Sequence, residues 1–309
     1  MDGFVHPFTD LHTVETFRSS AKRPNIQNQP VRNPMIGKIV RRCYIPREGH
    51  WLVEIDYSAL EFKIAACFWK DPEMVKYASD DSLDIHRDMA ARLFLCERDQ
   101  VTKKMRYHGK NGFVFPHLYG SYYGNIGPAV WWGIDKLEFE DGTSVKQHLR
   151  MKGIQGLNEF TEHIKQVEEW FDRKFHVFAE SRDKWYNDYR ARGGFPFMTG
   201  FWASGMYSKN ETLNTPIQGP AFHCLLWSLP RIQKWVDKTK SGALIVAEIH
   251  DSILSDAPIR EVGDYVSYSK YVMTKALPKA WPWIIVPLKV EVEVAEKNWH
   301  EKEPWKETV

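Results

Sequence analysis

Two aspartates end short apolar runs at distant points of this chain. Asp56 closes WLVEID (51–56), and Asp251 interrupts VAEIHDSIL (246–254) together with His250. Each run has the length and apolar content of a strand. Carboxylates at two strand ends repel if they converge within a few ångströms, and they stay ionised at neutral pH only with a cation between them. Magnesium suits such a place, because it takes one or two carboxylates and leaves its other positions to water and phosphate oxygens. Plainer readings exist for each piece. Asp is common in turns. Ser58 and Glu61 match the S-x-x-E capping box of a helix start, which Asp56 could simply assist.

Further residues carry chemistry only in combination. Arg106 and Lys110 are four apart and share a helix face, where like charges are mildly destabilising. A bound polyphosphate turns that repulsion into attraction; a solvated basic face has the same spacing. Phe113, Phe115 and Tyr119 follow, as core residues or as stacking surfaces for a base. In LNTPIQGPAF (213–222), Asn214 reads as a helix N-cap and Pro216 as a first-turn proline, which leaves Gln218 without a role.

The elements around these residues can be read from periodicity. Prolines at 7, 24, 30, 34 and 46 predict extended segments and short strands over 1–50, with no helix. A strand at 51–56 is followed by helical spacing in Leu60, Ile64 and Phe68. A mostly helical region over 84–123 is broken at Pro116, and EFEDGTS reads as a surface hairpin or loop. One long helix is predicted over 159–192, a short hairpin in GGFPFMTGFW, and a helix over 213–236. Strand–turn–strand over 243–256, a helix near 259–275 and the alternating strand PLKVEVEVA close the chain. Strands cluster at both ends and helices fill the middle. That predicts an α+β fold: a sheet built from both ends, with a helical subdomain inserted.

Composition excludes less. With 42 basic and 40 acidic residues the net charge of +2 says little about partners, since a neutral total can hide a basic cleft. The four cysteines, Cys43, Cys67, Cys96 and Cys224, form no CxxC, so reduced thiols in a cytoplasm-like compartment are expected. No signal peptide is expected from MDGFVHPFTD and no membrane span from any apolar run.

Taken together and in order, the motifs resemble the polymerase module of the family A DNA polymerases. DYSALEFK (56–63) is similar to motif A, usually DYSQIELR, and DIHRDMAARLF (84–94) to the segment that follows it. Arg106, Lys110 and FVFPHLYG (113–120) resemble motif B, and LNTPIQG (213–219) the N-x-P-x-Q-G stretch. IHDSIL (249–254) resembles motif C, usually VHDEL. TFRSSAKRPNIQNQPVR (16–32) and VPLKVEVEVAEKNW (286–299) resemble segments that open and close the family module. The resemblance implies a right-hand polymerase: a palm with an antiparallel sheet over 1–80 and 206–309, and inserted helical fingers over 81–205.

It also implies roles. Asp56 and Asp251, with the Tyr57 backbone carbonyl, would hold two Mg2+ ions. Arg106 and Lys110 would grip the triphosphate, and Lys110 would act as a proton donor to the leaving pyrophosphate. His86, Phe115 and Tyr119 would line the nucleotide and templating positions, and Glu61 would exclude a ribose 2′-hydroxyl. Arg18, Asn25, Gln27, Asn214, Gln218 and His250 would contact primer or template. The substrates implied are primer–template DNA and dNTPs, in the cytoplasm of a bacterial host if the chain is phage-encoded.

Departures are equally specific. Ser252 stands at the motif C glutamate, Lys63 at an arginine, and Asn210 where an arginine is typical. Arg106 to Tyr119 is 13 residues, one more than the usual 12, so the stacking aromatic position falls on Phe115 counting from Tyr119 or on Val114 counting from Lys110. Pro116 could accommodate the extra residue as a bulge. Met1 stands almost directly before the first of these segments, where family members carry a thumb and often a 3′–5′ exonuclease; a separately encoded polymerase subunit or an excised fragment is expected, with a partner of a split phage-type replicase supplying those functions. The rivals are a single-subunit phage-type RNA polymerase, whose motif C often reads HDS, and a non-catalytic nucleic-acid-binding scaffold. Glu61 argues against the first, and two intact aspartates against the second.

Overall fold

The central strand of the main sheet comes from the first fifth of the chain and its neighbours from the last fifth. The computed structural model describes residues 3–11, 13–30 and 34–307; Val31 and Arg32, at the end of the 16–32 similarity, lie outside them. Strands β1 (Phe8–Asp10) and β2 (Ser20–Lys22) form one hairpin. β3 (His50–Tyr57) comes next, then the short pair β4 (Gly194–Pro196) and β5 (Trp202–Ser204). β6 (Leu244–Ile249), β7 (Ser252–Pro258), β8 (Val290–Ala295) and β9 (Glu303–Pro304) complete the set. Five of these make an antiparallel sheet in the order β6-β7-β3-β8-β9. This is the α+β sheet built from both chain ends that the motif order predicts.

Alternation along β3 explains its place. Val53, Ile55 and Tyr57 are fully buried on one face. The helix Val262–Tyr271 covers that face, where the Ser255 hydroxyl meets Tyr265 Oη. Each such aliphatic side chain stabilises the fold by about 1.5–3 kcal/mol. Leu52, Glu54 and Asp56 point to the opposite face. There Leu52 joins Ile249, Leu254, Ala295 and Trp299 in an apolar cluster, while the row toward the strand end turns acidic.

The chain divides into two compact units. One holds the described residues up to 68 with 197–201 and those from 215 onward; the other holds 69–196 and 202–214. The first contains the five-stranded sheet and the second is mostly helical.

Four predicted elements differ. The helix predicted over 213–236 runs Lys209–Thr239, so Asn214 is not its N-cap and Pro216 lies inside it. Residues 34–42, expected to be extended, form the helix Pro34–Arg42. Proline is compatible with the first turn, where its missing N–H has no partner to lose, and Arg41 and Arg42 suit the negative helix end. The predicted helix over 159–192 is two, Leu157–Lys174 and His176–Arg192, because Phe175 leaves helical geometry (φ −104°, ψ 56°). Pro116 does not break its helix. The preceding turn, Gly109–Val114, is a π-helix, in which the Phe115 N–H donates to the Lys110 carbonyl. Helical structure then runs on to Leu118, and the chain turns away at Gly120, with φ +90°. A Cβ on Gly120 would lie 2.8 Å from Asn210 Oδ1 and 3.0 Å from Leu213 Cδ1, so both conformation and space require glycine there.

One buried carboxylate starts two helices. Asp71 Oδ1 accepts from the N–H groups of Glu73 and Met74 in Pro72–Ser79, and Oδ2 from those of Val177 and Phe178 in His176–Arg192. Removing it leaves four donors unsatisfied in a fully buried place. Asp71→Ala is expected to cost about 3 kcal/mol or more in urea unfolding, well above the usual single-cap loss; a loss below about 1 kcal/mol would contradict this double role.

Candidate active site

The acidic end of the sheet collects carboxylates from two strands and a turn. Asp56 pairs in register with Ser252 on β7 and with Glu291 on β8. Glu54, two residues earlier, shares its face and stands opposite Leu254 and Glu293. Asp251 and His250 form the two-residue turn that joins β6 to β7, closed by the Ile249–Ser252 pair. His250 is exposed and adopts a left-handed conformation (φ 59°), which histidine tolerates better than most residues. The Tyr57 N–H donates to the Asp251 carbonyl (3.3 Å), binding the turn to the end of β3. Ser58 Oγ donates to Glu291 Oε1 (3.1 Å).

Burial pushes the Asp56 carboxyl up to about 8, with Asp251, Glu54 and Glu291 adding repulsion and Lys302 opposing it. Asp56 Oδ1 is buried without a hydrogen-bond partner. A buried acceptor left unsatisfied among like charges is costly. A hard divalent cation removes both penalties, and the donor chemistry suits Mg2+. Among the described residues no three His, Cys, Asp or Glu side chains converge as a closed metal cage. Two carboxylates with open positions suit an ion that also binds substrate oxygens.

Beside the carboxylates, residues from three separate motifs meet. Arg18 donates from Nη2 to Glu61 Oε1 (3.1 Å) and from Nη1 to Gln218 Oε1 (3.3 Å). Gln27 Nε2 reaches Ser19 Oγ (2.8 Å) and Glu248 Oε1 (2.7 Å), and its Oε1 accepts the Ala21 N–H. Asn25 is exposed and makes local turn contacts with Asn28 and Gln29, so it does not join this cluster. Lys63 is buried and donates to the Pro287 carbonyl (2.6 Å), which ties the first helix after β3 to the segment before β8.

The helical unit holds a second group. Asp84 caps the helix Ile85–Phe94 through its Oδ1, and its Oδ2 accepts from Arg106 Nε (2.6 Å). His86 lies against Phe115 (5.6 Å between ring centres), which stacks on Tyr119 (5.8 Å, 19°). Lys110 Nζ sits 5.6 Å over the Phe115 ring. Burial, then Arg106 and Lys110, push the His86 imidazole down to about 3, so it is neutral at physiological pH. Close approach is built in, since a Cβ on Gly109 would lie 2.2 Å from the His86 carbonyl oxygen. Asn214, also in this unit, has a buried Oδ1 without a partner.

Sequence reasoning passed over Glu54, Glu291, Ser19, Glu248 and Lys302. A signal existed for the first two. Glu54 precedes Asp56 by one strand period, and VEVEVA alternates its glutamates onto one face.

This antiparallel sheet and its helical insertion have the fold of a polymerase domain. A solved structure described as the POL domain of Pol1 from M. smegmatis in complex with DNA primer-template and dNTP superposes with a TM-score of 0.74 at 21% identity, over 96% of this chain and 48% of that one. The sequence model of DNA polymerase family A matches residues 1–301, and the chain belongs to that family. It is 28% identical to DNA polymerase I of Lactococcus lactis subsp. cremoris over 301 residues, and 26% identical to the thermostable DNA polymerase I of Thermus aquaticus over 302. A DNA polymerase of Bacillus phage SP01 is 26% identical over 289 residues. These alignments take in 97%, 94% and 88% of the chain but 32%, 33% and 29% of the relatives, so the chain spans about a third of their length. No helix of the described residues is long and apolar enough to cross a membrane.

The raised Asp56 has a linkage consequence. An unfolded aspartyl ionises near 3.8, while the folded one keeps its proton to about 8, so the folded state loses stability as pH rises between the two. Asp56→Asn is therefore expected to raise the melting temperature of the metal-free protein at pH near 8 and to change it little at about pH 4. Mg2+ is expected to stabilise the unsubstituted protein at the higher pH, EDTA to reverse this, and the Asn variant to lose the response. Differential scanning fluorimetry across pH reads all three.

Proposed function

We propose that the chain is the palm-and-fingers module of a template-directed DNA polymerase that adds dNTPs to a primer 3′-hydroxyl. The observation that carries this is the buried, partnerless Asp56 oxygen beside Asp251 at the crest of the sheet. Family membership and the polymerase-domain fold support it. The borders at 1–80, 81–205 and 206–309 are proposed for palm and fingers.

Asp56 and Asp251, with the Tyr57 carbonyl, would hold two Mg2+ ions. When bound, those ions supply Lewis-acid activation of the attacking hydroxyl and charge neutralisation for the leaving pyrophosphate. The chain's own residues do the rest. Arg106 and Lys110 bind the β and γ phosphates, the first oriented by Asp84. Lys110 provides a proton for the leaving pyrophosphate. Neutral His86 contacts the incoming nucleotide without adding charge to its pocket. Phe115 stacks on the incoming base and Tyr119 lies at the templating position. The π-helical turn supports Phe115 over Val114 for that role. A π turn holds one more residue than an α turn, which absorbs the thirteenth residue between Arg106 and Tyr119. Val114 is then fully buried, while the Phe115 ring lies beneath Lys110.

Glu61 is the sugar gate, held by Arg18. Arg18, Gln218, Gln27, Asn25, Asn214 and His250 contact the primer–template through backbone and minor-groove atoms, as a polymerase that accepts every sequence requires. A separate subunit with thumb and 3′–5′ exonuclease functions belongs to the same proposal.

Primer extension with Mg2+ on a primed DNA template tests the reading. Asp56→Ala and Asp251→Ala are each expected to lower extension by more than about a thousandfold, equivalent to several kcal/mol of lost transition-state stabilisation. DNA binding by fluorescence anisotropy should remain. Wild-type extension by either variant would refute the assignment. Glu61→Ala is expected to erode dNTP-over-NTP preference by about 10–200-fold. An unsubstituted chain that prefers NTPs would point to the RNA-synthesising alternative.

A further inference from the structure

The residue that departs from motif C, the first of β7, has an acidic neighbour on the adjacent strand. Ser252 Oγ donates to Glu54 Oε1 (3.3 Å) as well as to the Ile249 carbonyl (3.1 Å). Glu54 is one strand period from Asp56, and Ser252 directly follows Asp251. The carboxylate group of Glu54 therefore lies at the side chain of residue 252, on the face that carries Asp56.

Its far side is firmly held. Glu54 Oε2 accepts from Trp299 Nε1 (2.7 Å) and from Lys302 Nζ (2.8 Å), and Lys302 also pairs with Glu293. The Arg41 guanidinium covers the Trp299 ring at 4.1 Å. One oxygen is thus fixed by the C-terminal segment and the other is presented to Ser252, directly after the His250–Asp251 turn. Lys302 and Trp299 favour the ionised form of Glu54, so it stays a carboxylate although it adds repulsion to Asp56.

We propose that Glu54 is a positioning residue of the metal site, supplying from β3 the carboxylate that position 252 lacks. Through Ser252 Oγ it steadies the turn that carries Asp251, so that the Asp56–Asp251 pair keeps its spacing for a hard divalent cation. Trp299 and Lys302 hold Glu54 itself in place. This rests on the reading of Asp56 and Asp251 as the metal carboxylates. It adds that the site draws on a β3 glutamate and on the C-terminal segment.

The test uses Mn2+ as the probe, with binding to the full chain read by the loss of the free-ion EPR signal. Glu54→Ala and Ser252→Ala are each expected to weaken Mn2+ binding at least fivefold and to raise the Mg2+ concentration needed for half-maximal primer extension. The second variant removes one hydroxyl and leaves the Lys302 and Trp299 contacts intact, so it answers the question even where Glu54→Ala folds poorly. The exchange Glu54→Ser with Ser252→Glu moves the carboxylate to the other strand and is expected to restore affinity to within threefold. A purely structural Glu54 would lower the melting temperature without changing Mn2+ affinity. That outcome, or an exchange variant no better than Glu54→Ala, overturns the proposal. Mn2+ binding that survives Asp56→Ala instead overturns the metal reading itself, and the Glu54 assignment with it.

Discussion

Repulsion among carboxylates at one end of a sheet is the constraint around which this protein is organised. Asp56 and Glu54 stand on β3, Glu291 on β8 and Asp251 in the β6–β7 turn, and the other three make Asp56 harder to ionise. Such an arrangement survives only because the opposite face and the far end of the same strands are apolar and well packed. Val53, Ile55 and Tyr57 anchor β3 from behind, and the Trp299 cluster anchors it alongside. Stability is generated away from the carboxylates, and Asp56 keeps a buried oxygen without a partner.

Cations of the chain itself are distributed with the same logic. Lys302 neutralises Glu54 and Glu293 at the edge of the cluster without reaching an Asp56 oxygen by hydrogen bond. Arg18 is held by Glu61 and Gln218. In the helical unit, Arg106 is oriented by Asp84, the residue that also caps Ile85–Phe94. A capping carboxylate that fixes an arginine links helix formation directly to the aim of that side chain.

Much of this was legible in the residues. WLVEID reads as a short apolar strand and PLKVEVEVA alternates with period 2, and both appear as neighbouring strands of one sheet. The helix after β3 and the β6–β7 hairpin follow from periodicity and turn chemistry. What was not legible depended on context. Proline density hid the helix Pro34–Arg42, since proline costs a backbone hydrogen bond in a helix interior but none in a first turn. The apolar spacing of 159–192 runs across Phe175 without a break, because two helices that bury the same side can share one pattern. Pro116 looked like the irregularity of its helix. The irregularity lies one turn earlier, where π-helical geometry takes up the additional residue.

By itself the sequence determined which chemical groups were present, their order, and the strand ends at which two aspartates stand. Those properties are local: residue type, period and turn preference act over a few positions. Only the tertiary structure decided which of the remaining carboxylates join Asp56, because register between β3, β7 and β8 is set by packing over residues far apart in the chain. That register placed Ser252 against Glu54 rather than against solvent. It turned an apparent loss in motif C into a contact with a carboxylate from another strand.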